Sequence, residues 1–502
     1  MLETALANVR FGMSMVLGRP FHRRSLDRIL EAVRATHQEF GTIGVGAEDL
    51  LGGPTLDDET RKVMQGRRFR AQATRAARET RYYRALFERI GVDPGGLRYD
   101  DIAGLPVTPK EDLRDDGEAF VRSGARPAYR STTTGTTGWP TTVWFSDDEN
   151  HLIGALSTIT FLGQRIIQPE DFVQISISTR ARLGVHGVAF SASAIGAVVH
   201  PAGLVSAEHT LALLTERHSL PGKKSRVSVM STYPSFLGEL VECGLRLGHR
   251  PQDFGLERVL LGGEIVSQAV QQRAQELFGP IQFVQNYGMT ELVPFGASMC
   301  DQNHLHYEPS VGLVEVLDLE SQRRPAAEGE AGVIVATPLP PFRETTMLLR
   351  YNTEDVVRPI SGQLDCSLRR VPATTNLLGK ARLSVRHDEG WTFVRDVLES
   401  LEAVPEVPLP ARYGFRAVPG GVAVEVVGRS TGARARAAIG ESLETRGIPL
   451  RQLDVVAEPG ELTHPLPLRC DLKEGSLAKL SQRPPQVTDS ANAEQVLTGG
   501  VN

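Results

Sequence analysis

The densest chemistry in the sequence is the run Ser131-Thr132-Thr133-Thr134-Gly135-Thr136-Thr137-Gly138-Trp139-Pro140. Glycines let a backbone approach a polyphosphate and turn its N–H groups toward it, and hydroxyls donate further hydrogen bonds. Pro140 stops the loop and directs the chain into a strand predicted over 141–145. No Gly-Lys-Ser/Thr follows, which excludes a Walker A loop. Downstream, Asn286-Tyr287-Gly288-Met289-Thr290-Glu291 sets an amide, an aromatic ring, a hydroxyl and a carboxylate side by side. Asn286 can read the edge of a base, Tyr287 offers a ring face, and Thr290 offers a hydroxyl donor to a phosphate. Glu291 supplies the hard anionic oxygen that Mg²⁺ on a triphosphate needs. Asp355 is acceptor-only, which suits the two donor hydroxyls of a ribose. No Ser-His-Asp or Cys-His set stands out as a nucleophilic centre.

These motifs, in this order, resemble those of the AMP-forming adenylating enzymes: acyl-CoA synthetases, peptide-synthetase adenylation domains and luciferases. The loop resembles the family's phosphate-binding motif, with Thr133, Thr134, Gly135, Thr136, Thr137 and Gly138 as its binding residues. Gly262-Gly263-Glu264, after a strand predicted over 258–261, resembles the adenine-binding segment. The Asn286–Glu291 run, including Gly288, is similar to the signature that contacts adenine, the α-phosphate and magnesium. Arg350-Tyr351-Asn352-Thr353-Glu354-Asp355 resembles the segment whose aspartate holds the ribose. Residues 79–115 and 184–203 are similar to the phenylacetate–CoA ligase-like branch. The resemblance spans 70–480 and leaves the preceding segment unassigned.

The resemblance implies ATP and Mg²⁺ as cofactors and an in-line attack of an oxyanion on the α-phosphorus, with pyrophosphate leaving on the loop. The expected product is the adenylate of a small aromatic or polyketide-like carboxylate in specialised metabolism, passed to CoA or a carrier-protein thiol. Tyr233 and His186 fall where the family places substrate, and a homodimer is expected. The family hinge G-R-x-D-D reads Gly379-Lys380-Ala381-Arg382-Leu383 here, so Lys380 keeps the cation and both acids are lost. The C-terminal Gly-Lys is absent. Arg469 falls nearest to the catalytic lysine and Lys473 one helical turn later, and Arg keeps the charge without the compact ammonium. These departures leave two alternatives open: coupling of an amine with nitrite on the same fold, and nucleotide binding without turnover.

The same branch carries a Cys after the signature, a Leu-His further on, and a later C-x-C-G pair. Cys300, Leu305-His306 and Cys366 fit that series, with Leu364 in place of the pair's first cysteine. With His304 or water they can complete a tetrahedral structural Zn²⁺ site. The plain alternative is two buried free cysteines and two surface histidines.

These residues need a scaffold, and 502 residues exceed what one hydrophobic core supports. Strand–helix alternation from 130 onward predicts an α/β fold: a large N-terminal adenylate-forming domain of α/β sheets plus a small mobile α+β C-terminal domain. The expected divisions are a helical segment over 1–90, the large ATP-binding domain over 91–379, a lid over 380–483 and a disordered tail over 484–502. Leu26, Ile29, Leu30 and Val33 recur at helical spacing, and an arginine-dense stretch from Arg61 to Arg84 reads as a solvated helix face. A net charge of −5 gives no basic field for nucleic acid. Four cysteines fit a reducing cytoplasm, and neither a secretory leader nor a membrane span is expected.

Overall fold

Continuous apolar runs such as Val229-Met230 and Val259-Leu260-Leu261 cannot alternate between core and solvent, and they build a sheet buried on both faces. The computed structural model describes residues 2–40, 57–133, 140–362, 364–388 and 390–473. Its eight-stranded sheet runs in the order Ala373–Thr374, Leu305–Tyr307, Gly296–Met299, Gln282–Gly288, Arg258–Leu261, Val229–Thr232, Phe172–Ser176 and Val198–His200. The first three junctions are antiparallel and the last four parallel. Gln282–Gly288 is therefore the seam, and its carboxyl end delivers Asn286, Tyr287 and Gly288 where loops of an α/β sheet line ligand sites. Helices Pro234–Arg246 and Gln268–Phe278 cover the sheet through Phe236, Leu237, Leu240, Val241, Ala274 and Leu277.

A second, antiparallel sheet orders Gly312–Asp318, Gly332–Pro338, Tyr351–Val357 and Gly379–Lys380. Its last pairing sets Lys380 directly across from Asp355. Tyr129–Thr132 and Thr142–Phe145 form a hairpin whose neck is closed by Thr133 N–H to Thr141 O (2.9 Å) and Thr141 N–H to Thr133 Oγ1 (2.9 Å). Thr134, Gly135, Thr136, Thr137 and Gly138 lie outside the described residues, as does the expected tail 484–502.

Strands Tyr413–Val418, Gly421–Val427 and Leu450–Val456, with helices Val394–Glu402 and Ala433–Thr445, surround their own cluster, including Val397, Leu401, Val424, Ile439 and Leu443. Strand Leu450–Val456 opens with exposed Arg451 and Gln452, and its buried face begins later in the strand. At the other end, helices Leu2–Leu17, Arg23–Phe40, Asp58–Glu79 and Arg81–Ile90 precede the sheets, and Asp57 caps the third through Thr60 N–H (2.8 Å). The arginine-dense stretch is only partly a solvated face. Arg68 donates to the carbonyls of Ser310 (2.5 Å) and Met15 (2.9 Å), and Arg75 pairs with Glu344 (3.1 Å). Among the described residues no helix is long and apolar enough to cross a membrane.

Candidate active site

The carboxyl ends of the central strands, the hairpin neck, the second sheet and the C-terminal unit enclose one cavity of about 930 Å³. Thr133, Gly262, Gly263, Glu264, Asn286, Tyr287, Gly288, Thr290, Glu291, Asp355, Lys380, Arg469 and Tyr233 all line it. His186 stands apart: its Nε2 lies 3.2 Å from Asn150 O and its ring packs near Phe190 and Tyr129, away from the cavity wall.

Glu291 is almost fully buried, and burial alone would raise its pKa. The Lys110 ammonium, 3.1 Å from Oε1, together with a backbone hydrogen bond and the Lys380 charge, outweighs that penalty and holds the carboxyl below its ordinary value. Tyr351 donates its hydroxyl to the same oxygen (3.2 Å). The other oxygen, Oε2, is buried without a protein partner. A buried anionic oxygen left over in this way fits a divalent cation carried by a triphosphate, so the donor set suits the Mg²⁺ that the motifs imply. Asp355 is held at both oxygens, by Tyr287 Oη on Oδ2 (2.9 Å) and Lys380 Nζ on Oδ1 (2.8 Å). Lys380 also donates to Thr353 O (3.0 Å). Burial first, then the Asp355 charge, push the Tyr287 phenol well above its usual pKa, so it stays a donor.

The C-terminal unit lines this cavity with Leu466, Pro467, Leu468 and Arg469, among others, and Arg469 makes its polar contacts. Arg469 donates its Nε–H to Gly263 O (2.7 Å), and its backbone N–H meets Glu264 Oε1 (2.6 Å). Its guanidinium sits 5.4 Å from the centre of the Tyr233 ring. Glu264 Oε2 in turn accepts from Ser235 N–H (3.0 Å), so this acid clamps the adenine-type segment to the C-terminal unit. Gly263 has φ +83°, which favours glycine, and a Cβ there would press on Arg469 Nε at 3.0 Å. Lys473 is turned outward to Glu239 (2.5 Å) on helix Pro234–Arg246.

A second constellation lies behind the sheet edge. The ligand atoms of Cys300, His304, His306 and Cys366 all fall within 4.8 Å of one another. His306 Nδ1 lies 2.8 Å from Val371 O, so with a proton there Nε2 presents its lone pair toward Cys366 Sγ, 3.4 Å away. Burial lowers the His306 pKa, which favours the neutral, ligating form. His304 Nδ1 is buried without a partner. Two thiols and two imidazoles at this spacing fit a tetrahedral metal.

A family model described as AMP-binding enzyme matches residues 97–337. A phenylacetate-coenzyme A ligase from Thermus thermophilus is 29% identical over 311 residues, 60% of this chain and 66% of that protein. Over those residues the chain is similar to the AMP-forming adenylating enzymes. The fold is shared with 2-hydroxyisobutyryl-CoA ligase in a postadenylation state, at a TM-score of 0.65 and 17% identity, covering 82% of this chain and 88% of that one. An open form of the same ligase with its acyl-AMP and CoA gives a TM-score of 0.59 at 17% identity, over 80% and 89%.

Two residues of the site went unread in the sequence. Lys110 stands in Pro109-Lys110-Glu111-Asp112, where it resembles any lysine opening a short acidic helix. Tyr351 lay inside a recognised motif without a role. His304, which the sequence offers as a fourth ligand beside Cys300, His306 and Cys366, falls in the same cluster. The spacing Cys300-x3-His304-x-His306 was the available signal.

Proposed function

We propose that the protein uses ATP to adenylate a carboxylic acid with an apolar body, releases pyrophosphate, and transfers the acyl group to the thiol of CoA. A cavity that joins a charged half, built from Lys110, Glu291, Asp355, Lys380 and Arg469, to an apolar half carries this reading. Asp355, oriented by Tyr287 and Lys380, accepts from the ribose hydroxyls, and the Gly262-Gly263-Glu264 turn borders the base. Bound magnesium would spread charge over the triphosphate. Lys110 keeps Glu291 ionised for that purpose, and Thr290 donates its hydroxyl to the α-phosphate. Lys380 and Arg469 approach from the C-terminal side, where their charges neutralise the acid's carboxylate as its oxygen attacks phosphorus. No side-chain nucleophile is needed. Cys300, His304, His306 and Cys366 hold a structural zinc in this reading.

The test is pyrophosphate release from MgATP across a panel of aryl and alkyl acids, with AMP and acyl-CoA followed in parallel. Acid-dependent AMP formation, with thioester only when CoA is present, is expected. Release that requires nitrite and an aromatic amine, or nucleotide binding with no release from any acid, would overturn the reading.

A further inference from the structure

Beyond the reacting end, the cavity is walled by Ile153, Leu156 and Phe161 of helix Asp147–Gly163 and by Leu183 and Val188 of helix Arg182–Ile195. Two more wall residues come from outside the region that the family model matches. They are Phe11 and Met15 of helix Leu2–Leu17. Both pack on a small buried cluster of Phe21, Leu26, Leu152 and Phe342. The Phe11 and Phe21 rings stack at 4.7 Å, and Phe21 meets Phe342, itself a wall residue, at 5.4 Å.

The helix is patterned and fastened for this position. Thr4, Ala7, Phe11, Ser14 and Met15 are its shielded side chains, at the spacing of one helical face, while Leu6, Val9, Met13 and Val16 are exposed. Glu3 near its start pairs with Arg28 (2.8 Å), and the Met15 carbonyl near its end accepts from Arg68 (2.9 Å). The following helix is tied to Asp147–Gly163 by Arg23–Asp147 (2.5 Å) and by Asp27 with His151 (2.7 Å). Phe11 and Met15 are thus held against the same helix that lines the cavity's side.

We propose that helix Leu2–Leu17 closes the acyl end of the cavity, and that Phe11 and Met15 set the length of the aryl or alkyl acid accepted. This rests on the adenylation reading above. A methylene more or less in a closed apolar pocket changes discrimination by about tenfold or more, so trimming either side chain should admit longer acids.

The experiment is acid-dependent pyrophosphate release, as kcat/KM, over homologous straight-chain and ω-phenyl acids. Wild type is compared with Phe11→Ala, Met15→Ala and Phe11→Trp, and with Met13→Ala on the exposed face as control. Expected is a shift of preference toward longer acids by about tenfold for the two alanine variants, toward shorter acids for Phe11→Trp, and none for the control. A merely structural helix would lower stability or kcat without moving the length profile. An unchanged profile in active variants therefore overturns the proposal and leaves the adenylation reading intact. Should Phe11→Ala fail to fold, Met15→Ala and Phe11→Trp decide by the same criterion. A wild type that releases pyrophosphate with no acid overturns the adenylation reading itself, and this inference with it.

Discussion

Lys110 and Glu291 form a buried pair in which each partner serves the other, and the two substitutions separate charge burial from catalysis. Lys110→Met leaves the Glu291 carboxylate buried without its cation, which costs about 3–5 kcal/mol and should appear as a lower urea midpoint at neutral pH. The sign follows from the lowered folded-state pKa of Glu291. Its stabilisation is present above the unfolded carboxylate pKa and is lost as pH falls through the folded one, so the Lys110→Met deficit should shrink toward acid pH. Glu291→Gln keeps the volume but removes the anionic oxygen, and acid-dependent pyrophosphate release should fall by about 100-fold or more. Arg469 and Lys473 part in the same way. Arg469→Ala should depress adenylation strongly, whereas Lys473→Ala, which breaks only an outward pair with Glu239, should leave the rate within about twofold. The sequence could not choose between these two cations, because the choice depends on which one the chain turns toward Gly263. Lys110 was illegible for a related reason, since its partner lies 181 positions away across the fold.

At the scale of elements, the cysteine–histidine cluster joins the strands Gly296–Met299 and Leu305–Tyr307 to the segment around Cys366, which precedes strand Ala373–Thr374. Elemental analysis of protein purified without chelator should give about one zinc per chain, and Cys366→Ser should reduce that and lower the melting temperature. A zinc content near zero would leave two free thiols as packing residues. Helix Val394–Glu402 carries a different signal. Burial pushes the Glu402 carboxyl up to about 7, with Oε1 accepting from Ala411 N–H (3.0 Å). The folded state then keeps a proton that the unfolded state releases. Stability is greatest below the unfolded carboxylate pKa and falls as pH rises to about 7. Glu402→Gln should flatten that slope, and urea titrations at pH 5 and pH 8 should differ by about 2–3 kcal/mol less than in wild type. A strand such as Arg258–Leu261 was legible to the residue, because its apolar run is followed by Gly262-Gly263. Short polar pairs like Ala373–Thr374 and Gly379–Lys380 carry no such pattern; only their neighbours make them strands.

For the whole molecule, the question is what holds the C-terminal unit against the sheets, since its hinge has lost the acids usual in the family. Gly379 at φ +140° gives the turn its freedom, and a Cβ there would lie 2.9 Å from Val394 Cβ. Arg382 has instead found Glu354 (2.9 Å), a pair that ties the hinge to the second sheet. Across the cleft, Glu242 of helix Pro234–Arg246 meets Arg273 of the large unit (3.2 Å) and Arg429 of the C-terminal unit (2.5 Å). Glu242 also accepts from the Leu409 N–H (3.1 Å), so one half-buried carboxylate bridges three segments. Replacing it with Gln keeps the shape and removes the charge that both arginines share. The loss should be about 1 kcal/mol after solvent screening, equivalent to about a fivefold shift toward the undocked arrangement. Arg469 lines the cavity in this docked arrangement, so under the proposed mechanism Glu242→Gln should slow acid-dependent pyrophosphate release by a few-fold. In the proposed alternation of the C-terminal unit, thioester formation from preformed acyl adenylate proceeds with the unit displaced and should be unaffected or faster. Raising the salt concentration should reproduce the same split in wild type and add little in the variant. Equal slowing of both half-reactions would mean that the bridge supports the fold and has no bearing on the exchange between them.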